Sequence, residues 1–319
     1  MLPFQLFARL RQTGKRIPSR LQRLARHAFA VVVASMLWPA LAWAASPAIN
    51  LLIAEPGGIY QEAATRLSQA LDKDDWKVTV STLDHHAANG TDLTVAIGTK
   101  ALEAALAQPA RPVLALLVPR LTFERLAVDQ TEVSALYLDQ PLTRQLQLLG
   151  LALPTLKRAG VPLGPVSQGL RTALQSAAKD SDIQVKTALI DQGSDIYAAL
   201  TELAKESQAF VLLPDPVVTQ RSTLQNFLLH TYRLRKPVLA YSAPLVQSGA
   251  LLALYATPAQ QGEEAAGWIR ESWSKGEFRL GAPRYPRRFT IGVNRTVARS
   301  LDISLPGEDA LTRQLEAMP

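Results

Sequence analysis

The sequence predicts an α/β protein with two doubly wound parallel-sheet lobes, joined by a hinge that the chain crosses more than once. Short runs rich in Val, Ile and Leu alternate with segments whose apolar residues recur at helical spacing. These runs form two series of five, which predicts two domains of similar build with helices on both sheet faces. The elements after the second series are too few for a third domain, so they are expected to return to the first two.

The first series of predicted strands begins with a compact, mainly apolar run. The run INLLIA at 49–54 precedes Pro56-Gly57-Gly58, as expected for a short strand buried on both faces of a sheet. A helix follows, because apolar residues including Tyr60, Ala64 and Leu71 recur at helical intervals. Further strands are predicted at 77–83, 93–97, 113–118 and 133–138, with a helix at about 99–107.

The second series follows a helix around Leu142, Leu146 and Leu149 that Pro154 closes. Its strands are predicted at 158–161, 183–189, 209–213, 237–241 and 250–255. A helix at 260–275, a strand at 288–293 and a helix from about Arg295 then return to the earlier elements. The predicted organisation is a signal peptide at 1–44, lobe 1 at 45–140 plus 254–282, and lobe 2 at 141–253 plus 283–319.

The net charge of +7 is concentrated before the first acidic residue, Glu55. Seven Lys and Arg residues precede an apolar run at 28–41 and the small-residue pattern Ala42-Trp43-Ala44, which predicts a secretory signal cleaved after Ala44 and a periplasmic protein. An uncleaved anchor is the alternative, but the run is shorter than a span of roughly 20 residues and contains Pro39. The remaining 27 basic residues balance 27 acidic ones, so charge does not indicate a nucleic-acid partner.

Catalytic signatures are missing from the sequence. No glycine stands where a P-loop would need one before Gly98-Thr99-Lys100, and there is neither a G-x-S-x-G elbow nor a dinucleotide-binding glycine pattern. The absence of cysteine excludes disulfides, thiolate metal sites, a catalytic cysteine and a lipid-modified cysteine anchor. We therefore expect neither an enzyme nor a bound cofactor.

Two polar clusters remain as alternatives. Asp84-His85-His86 with Asp92 could offer zinc ligands, but a solvated loop is the favoured interpretation because a closed zinc site needs four well-placed ligands. His230 is interpreted as a partly buried helix residue. The basic and aromatic tract at 278–289 could stack bases, yet export argues against that use, and we interpret the tract as a connector whose arginines could hold an anionic ligand.

Candidate ligand contacts lie where predicted strands end, because ligands of parallel α/β sheets gather at the carboxyl ends of the strands. Thr99 begins a helix, could cap it and would leave backbone N–H groups for an anion. Tyrosines could flank a ligand ring, and Asp215 could pair with a ligand amine. The full predicted set is Glu55, Tyr60, Thr99, Asp139, Asp215, Tyr241 and Ser242.

Four segments resemble the ABC transporter substrate-binding protein family related to tryptophan and tyrosine uptake. They are SALYLDQPLTRQLQLLGLALPTLKRAGVPLGP at 134–165 and the stretches at 194–218, 236–269 and 289–306. The resemblance implies a type I periplasmic-binding-protein fold, with three crossovers and a small ligand enclosed by hinge closure. It also implies ligand contacts at Thr99, Asp215 and Tyr241-Ser242. The sequence departs from the family in the Pro162-Leu163-Gly164-Pro165 loop and in the short segment between the second and third strands.

We therefore expect a monomeric periplasmic protein that captures a small polar or amino-acid-like ligand and delivers it to the membrane permease of an ABC transporter. A sensory module that acts on a membrane receptor or kinase is the alternative. An exported enzyme that uses His85 or His86 is a third, less favoured hypothesis.

Overall fold

The computed structural model describes residues 46–85, 90–109, 111–191 and 196–318. The predicted signal peptide with its cleavage site after Ala44 lies outside these residues, as does His86. The unit Ser46–Pro319 contains every element described below. Among the described residues, no helix is both long and apolar enough to cross a membrane.

The strands form two main sheets. Five strands of the second sheet, β6 to β10, repeat the order of the five strands of the first. The first sheet is entirely parallel with the order β2-β1-β3-β4-β5. The second has the order β13-β10-β9-β8-β6-β7, in which only β13 is antiparallel to its neighbour, and β11 pairs with β12 in a small hairpin. The strands are β1 (Ala48–Ile53), β2 (Lys77–Thr82), β3 (Leu93–Ile97), β4 (Val113–Val118), β5 (Val133–Tyr137), β6 (Arg158–Leu163), β7 (Gln184–Leu189), β8 (Ala209–Val211), β9 (Val238–Ala240), β10 (Leu252–Tyr255), β11 (Trp273–Ser274), β12 (Glu277–Phe278) and β13 (Thr290–Val293).

Helices connect these strands and cover both faces of each sheet. They are α1 (Gly58–Leu71), α2 (Thr99–Leu106), α3 (Arg120–Leu126), α4 (Leu142–Ala152), α5 (Arg171–Asp180), α6 (Ile196–Glu206), α7 (Arg221–Arg233), α8 (Ala243–Gln247), α9 (Pro258–Ser272), α10 (Arg295–Ser300) and α11 (Glu308–Glu316). All ten predicted strands of the two series are confirmed. The short helices α3 and α8 and the last helix, α11, were not predicted.

The core of the first sheet follows the two-residue period of a strand that is buried on both faces. In β1, Ile49 and Leu51 pack in one apolar cluster with α1 and α9, whereas Leu52 packs in another with α2 and α3. All three side chains are essentially inaccessible to water. The continuous apolar run of β1 is thus explained by helices on both sides of the sheet.

The chain passes between the two sheets three times. It leaves the first sheet after β5, returns after β10 to place α9 against α1, and leaves again through residues 279–289 to reach β13. Two bounds of the residue ranges predicted for the lobes differ slightly from the extents of the two sheets. Leu254 and Tyr255 belong to β10, in the second sheet, and Arg284 forms a bridge with Leu136 of the first.

Candidate functional site

Each main sheet has a point where its winding reverses. In the first sheet this point lies between β1 and β3, and in the second it lies between β6 and β8, because the chain moves outwards in opposite directions from these strands. Connections then leave on opposite faces, and a crevice remains outside the carboxyl ends of the strands. Glu55 and Thr99 follow the pair in the first sheet, and Gly164 and Asp215 follow the pair in the second.

Glu55 lies at the first reversal point and already has a cationic partner. Its Oε1 accepts a hydrogen bond from Lys100 Nζ at 3.0 Å, with exposed fractions of 62% and 65% for the two side chains. The bond to the Glu55 carboxylate raises the pKa of Lys100. Because both side chains are exposed, the ion pair stabilises the fold little and both charges are accessible to a ligand.

Tyr60 lies over the turn that joins β3 to α2. A Cβ at Gly98 would come within 2.7 Å of Tyr60 Cε1, and Gly98 has a φ of 97°, so glycine is required there on both counts. Gly98 is also the N-cap of α2, and Thr99 is the first residue inside the helix. The prediction that Thr99 caps this helix is therefore wrong. Gly98 takes the cap position, because the Tyr60 ring occupies the space that a side chain there would need.

Asp139 follows β5 at the first passage between the sheets. Its Oδ2 accepts a hydrogen bond from the Arg120 backbone N–H at 2.5 Å. Burial raises the pKa of Asp139 to about 6, against the opposing effect of that N–H. This carboxyl can therefore change its charge close to neutral pH.

Arg120 and Tyr285 line the same small cavity as Asp139. Arg120 Nη1 donates to the Tyr285 hydroxyl at 2.8 Å, and the rings of Tyr137 and Tyr285 are 5.2 Å apart. Burial raises the pKa of Tyr137 to about 12 and also raises that of Tyr285, so both phenols remain neutral. Sequence reasoning missed both residues: Arg120 follows β4, the neighbour of β5, and Tyr285 lies far along the chain in the third passage.

Asp215 lies at the reversal point of the second sheet, and its carboxylate is held by backbone groups. The side chain is 1% exposed; Oδ2 accepts from the Ser167 N–H at 2.7 Å and Oδ1 from the Val217 N–H at 2.9 Å. A Cβ at Gly164 would lie 2.0 Å from Oδ1. The geometry thus shows Asp215 as the group that organises the two loops at this point.

Tyr241 and Ser242 follow β9 and are both partly exposed. Burial raises the pKa of Tyr241, a hydrogen bond with the Thr219 side chain lowers it, and the charge of Asp139 raises it slightly. Asp215, by contrast, turns its carboxylate into its own loops.

The basic tract of the third passage is paired with acidic residues of α9. Arg288 Nη1 lies 2.5 Å from Glu263 Oε2, and the Arg287 backbone N–H donates to Glu264 at 3.1 Å. Arg284 stacks 3.8 Å from the centre of the Trp268 ring. The tract serves as the connector that was predicted, and its pairing with α9 gives no support to the predicted anion-holding role.

The histidine and aspartate residues considered for metal binding have other roles where the structure describes them. Asp92 Oδ2 accepts from the Ala48 N–H at 2.8 Å, and Asp84 is exposed. His230 Nε2 lies 2.9 Å from Thr201 Oγ1, with its ring against Tyr197. Within the described residues, no group of three or more His, Cys, Asp or Glu side chains is arranged to hold a metal ion.

Two mainly parallel sheets that share the order of five strands, joined by three passages of one chain, define the type I periplasmic-binding-protein fold. The structure of an ABC domain in complex with L-Trp from Streptococcus pneumonia has this fold, with a TM-score of 0.60, 16% identity and coverage of 84% of this chain and 98% of that one. A ligand-free, open substrate-binding protein with adhesive properties from Clostridium difficile has a TM-score of 0.66, 18% identity and coverage of 83% and 97%. A conserved domain protein from Vibrio cholerae has a TM-score of 0.59, 18% identity and coverage of 84% and 98%.

The family model described as ABC transporter substrate binding protein matches residues 72–311, so this chain belongs to that family. The family consists of substrate-binding proteins, which agrees with a solute-binding role for the chain. The predicted family and fold class are both confirmed. No curated protein matches the chain in sequence.

Proposed function

We propose that the chain is an exported solute-binding protein that encloses a small polar or amino-acid-like ligand between two lobes and presents it to the permease of an ABC transporter. The observation that carries this proposal is the repeated order of the two sheets, with polar residues following the strands at each reversal point. Family membership agrees with it. Binding of L-Trp to a protein of the same fold makes amino acids the first ligands to test.

The proposed lobes correspond to the two main sheets. Lobe 1 would contain β1 to β5 with α9 and the β11–β12 hairpin, and lobe 2 the second sheet with its helices. The three connecting passages would form the hinge. Closure about such a hinge encloses a ligand by a change of a few backbone dihedrals while the packed cores stay intact.

The proposed ligand contacts combine partly exposed groups from both sheets and the hinge. The Tyr60 and Thr99 hydroxyls and the first N–H groups of α2 would receive the anionic part of the ligand, since a helix N-terminus carries partial positive charge. Asp139 would face a ligand amine, with Tyr241 beside it. Asp215 is proposed as a positioning residue, because its oxygens already accept backbone N–H groups.

The proposal is tested by calorimetric titration of the protein with L-tryptophan and then with a panel of amino acids and small metabolites. We expect one ligand to bind and to make the small-angle scattering profile more compact. Thr99→Val should weaken binding about tenfold, the loss of one hydrogen bond of about 1.4 kcal/mol. Thr296→Val, in the first turn of α10, is the matched control and should bind normally. Absence of binding across the panel together with an unchanged scattering profile would refute the proposal.

A further inference from the structure

A small buried cavity lies at the first passage between the sheets. Its volume is about 10 Å³, and Asp139, Gln140 and Gln145 line it from the first passage and α4. The other lining residues are Arg120, Leu121, Leu142, Leu170, Leu213 and Tyr285. The two glutamines are only 1% and 2% exposed, so bulk water does not reach their amides in this conformation.

Each of these amides has one polar atom in use and one without a partner. Gln140 Oε1 accepts from Arg144 Nη1 at 2.6 Å, and Gln145 Nε2 donates to the Gln140 carbonyl oxygen at 2.9 Å. Gln140 Nε2 and Gln145 Oε1 have no hydrogen-bond partner in the described part of the chain. Turning either amide over would put two donors or two acceptors together at an existing bond, so exchange of O and N does not remove the deficit.

Leaving both atoms unpaired is unfavourable, because a buried polar atom without a partner has lost its hydrogen bonds to water and gained none in return. The unpaired atoms are complementary, since one is a donor and the other an acceptor. The cavity volume is close to the roughly 10–15 Å³ that one water molecule requires. It is too small for a metabolite.

We propose that one ordered water molecule occupies this cavity and bridges Gln140 Nε2 to Gln145 Oε1. The water accepts a hydrogen bond from the Gln140 amide and donates one to the Gln145 oxygen. Its second hydrogen is available to Asp139, which lines the same cavity. A bare cation would be repelled by the amide N–H and an anion by the amide oxygen, so neutral water is the occupant that satisfies both.

This water completes a polar network between two of the three passages. Arg144 Nη1 donates to the Pro286 carbonyl oxygen of the third passage at 3.1 Å as well as to Gln140 of the first. The water extends this network to Gln145 on α4. That the network sets the geometry of a moving hinge rests on the proposed function, but occupancy of the cavity does not depend on any ligand.

The site is tested first by a crystal structure of the ligand-free protein at a resolution that shows ordered solvent. We expect one water within hydrogen-bond distance of both amide atoms. Gln261 is the internal control: it is equally buried, its Oε1 accepts from the Leu117 N–H and its Nε2 donates to the Tyr137 carbonyl oxygen. It should have no such water. An empty cavity, or a direct bond between the two glutamine side chains, would overturn the inference.

A solution measurement separates bound water from crystal solvent. Oxygen-17 relaxation of the wild-type protein should contain a contribution from a long-lived internal water that is lost in Gln145→Leu. In thermal unfolding, Gln140→Leu and Gln145→Leu should each lower Tm, while the double variant should lose less than the sum of the two shifts, because it leaves neither amide unpaired. Unchanged relaxation with strictly additive Tm shifts would contradict the proposal. Failure of the protein to bind any solute would leave these expectations intact.

Discussion

Asp139 and Asp215 were both predicted as ligand contacts, and their surroundings now separate their roles. The Asp215 carboxylate accepts backbone N–H groups from two loops and is almost fully buried. Asp139 accepts one backbone N–H and lies among phenol rings, where burial raises its pKa to about 6. At the scale of single residues, one carboxylate therefore maintains the shape of the site and the other remains able to respond to a ligand or to pH.

The raised pKa of Asp139 predicts a specific pH dependence of stability. The folded protein holds a proton on Asp139 between its ordinary value of 3.8 and about 6, where the unfolded chain has released it. The free energy of unfolding therefore falls as pH rises through this window, by up to about 1.4 kcal/mol per pH unit. Asp139→Asn should remove this pH dependence. Relative to the wild-type protein, the variant should gain stability as the pH rises through this window and should keep that gain above about 6.

Urea unfolding at several pH values between about 4 and 8 measures this effect. Asp129→Asn is the control, because Asp129 lies in an exposed loop and its φ of 64° suits asparagine. Its pH profile should follow that of the wild type. If Asp139→Asn also retains the wild-type profile, Asp139 does not titrate as described.

Gly164 predicts a second effect at the residue scale. A Cβ there would lie 2.0 Å from Asp215 Oδ1, and the carboxylate cannot move without losing its bonds to Ser167 and Val217. Gly164→Ala should lower the free energy of unfolding by about 1–3 kcal/mol. Gly169→Ala is the control, since no atom lies within 4 Å of a Cβ at that position. Equal stability of the two variants in urea would contradict this account of the loop.

At the scale of elements, the packing of α9 against α1 joins parts of the chain that are distant in sequence. Glu263 of α9 bridges Arg66 of α1, and Arg270 Nη2 lies 2.8 Å from Asp74 Oδ2. The two helices approach closely at Gly262, where a Cβ would come within 2.6 Å of the Ala63 carbonyl oxygen. A glycine on one helix thus allows the apolar surfaces of both to meet over the first sheet.

Two glycines of α9 provide a matched test of this packing. Gly262→Ala should destabilise the protein by about 1–3 kcal/mol, because the new methyl group meets the backbone of α1. Gly267→Ala, in the same helix but with nothing within 4 Å of its Cβ, should stabilise it by up to about 1 kcal/mol through helix propensity. Thermal unfolding of both variants gives the sign directly. Stabilisation by Gly262→Ala would show that the helices are not in close contact.

At the scale of the whole molecule, the net charge of +7 belongs to the segment proposed to be removed on export. We expect the mature protein to begin at Ala45 and to carry equal numbers of acidic and basic residues. Intact-mass analysis of the protein from the periplasmic fraction measures the processed length. A mass that includes the first 44 residues would refute cleavage and would favour the anchored alternative.

The central strands of the two series were predictable because strands covered on both faces by helices are mainly apolar, as β1 and β4 are. The strand ends at which ligands gather were predictable as places, whereas the reversal points depend on the strand order of each sheet. The role of Thr99 was not. Whether Thr99 or Gly98 caps α2 depends on Tyr60, whose ring occupies the space above the glycine.

The sequence by itself determined the α/β class and the two series of strands, because burial on both sheet faces and helical periodicity are local properties; the family followed from the resemblance of four segments. Only the tertiary structure decided which polar groups meet. Tyr285 lies far from Arg120 and Asp139 in sequence, and the three residues meet only because the third passage runs back beside the first passage and the start of α3. The same convergence buries Gln140 and Gln145 around one small cavity, because contacts between distant segments depend on packing that no local pattern encodes.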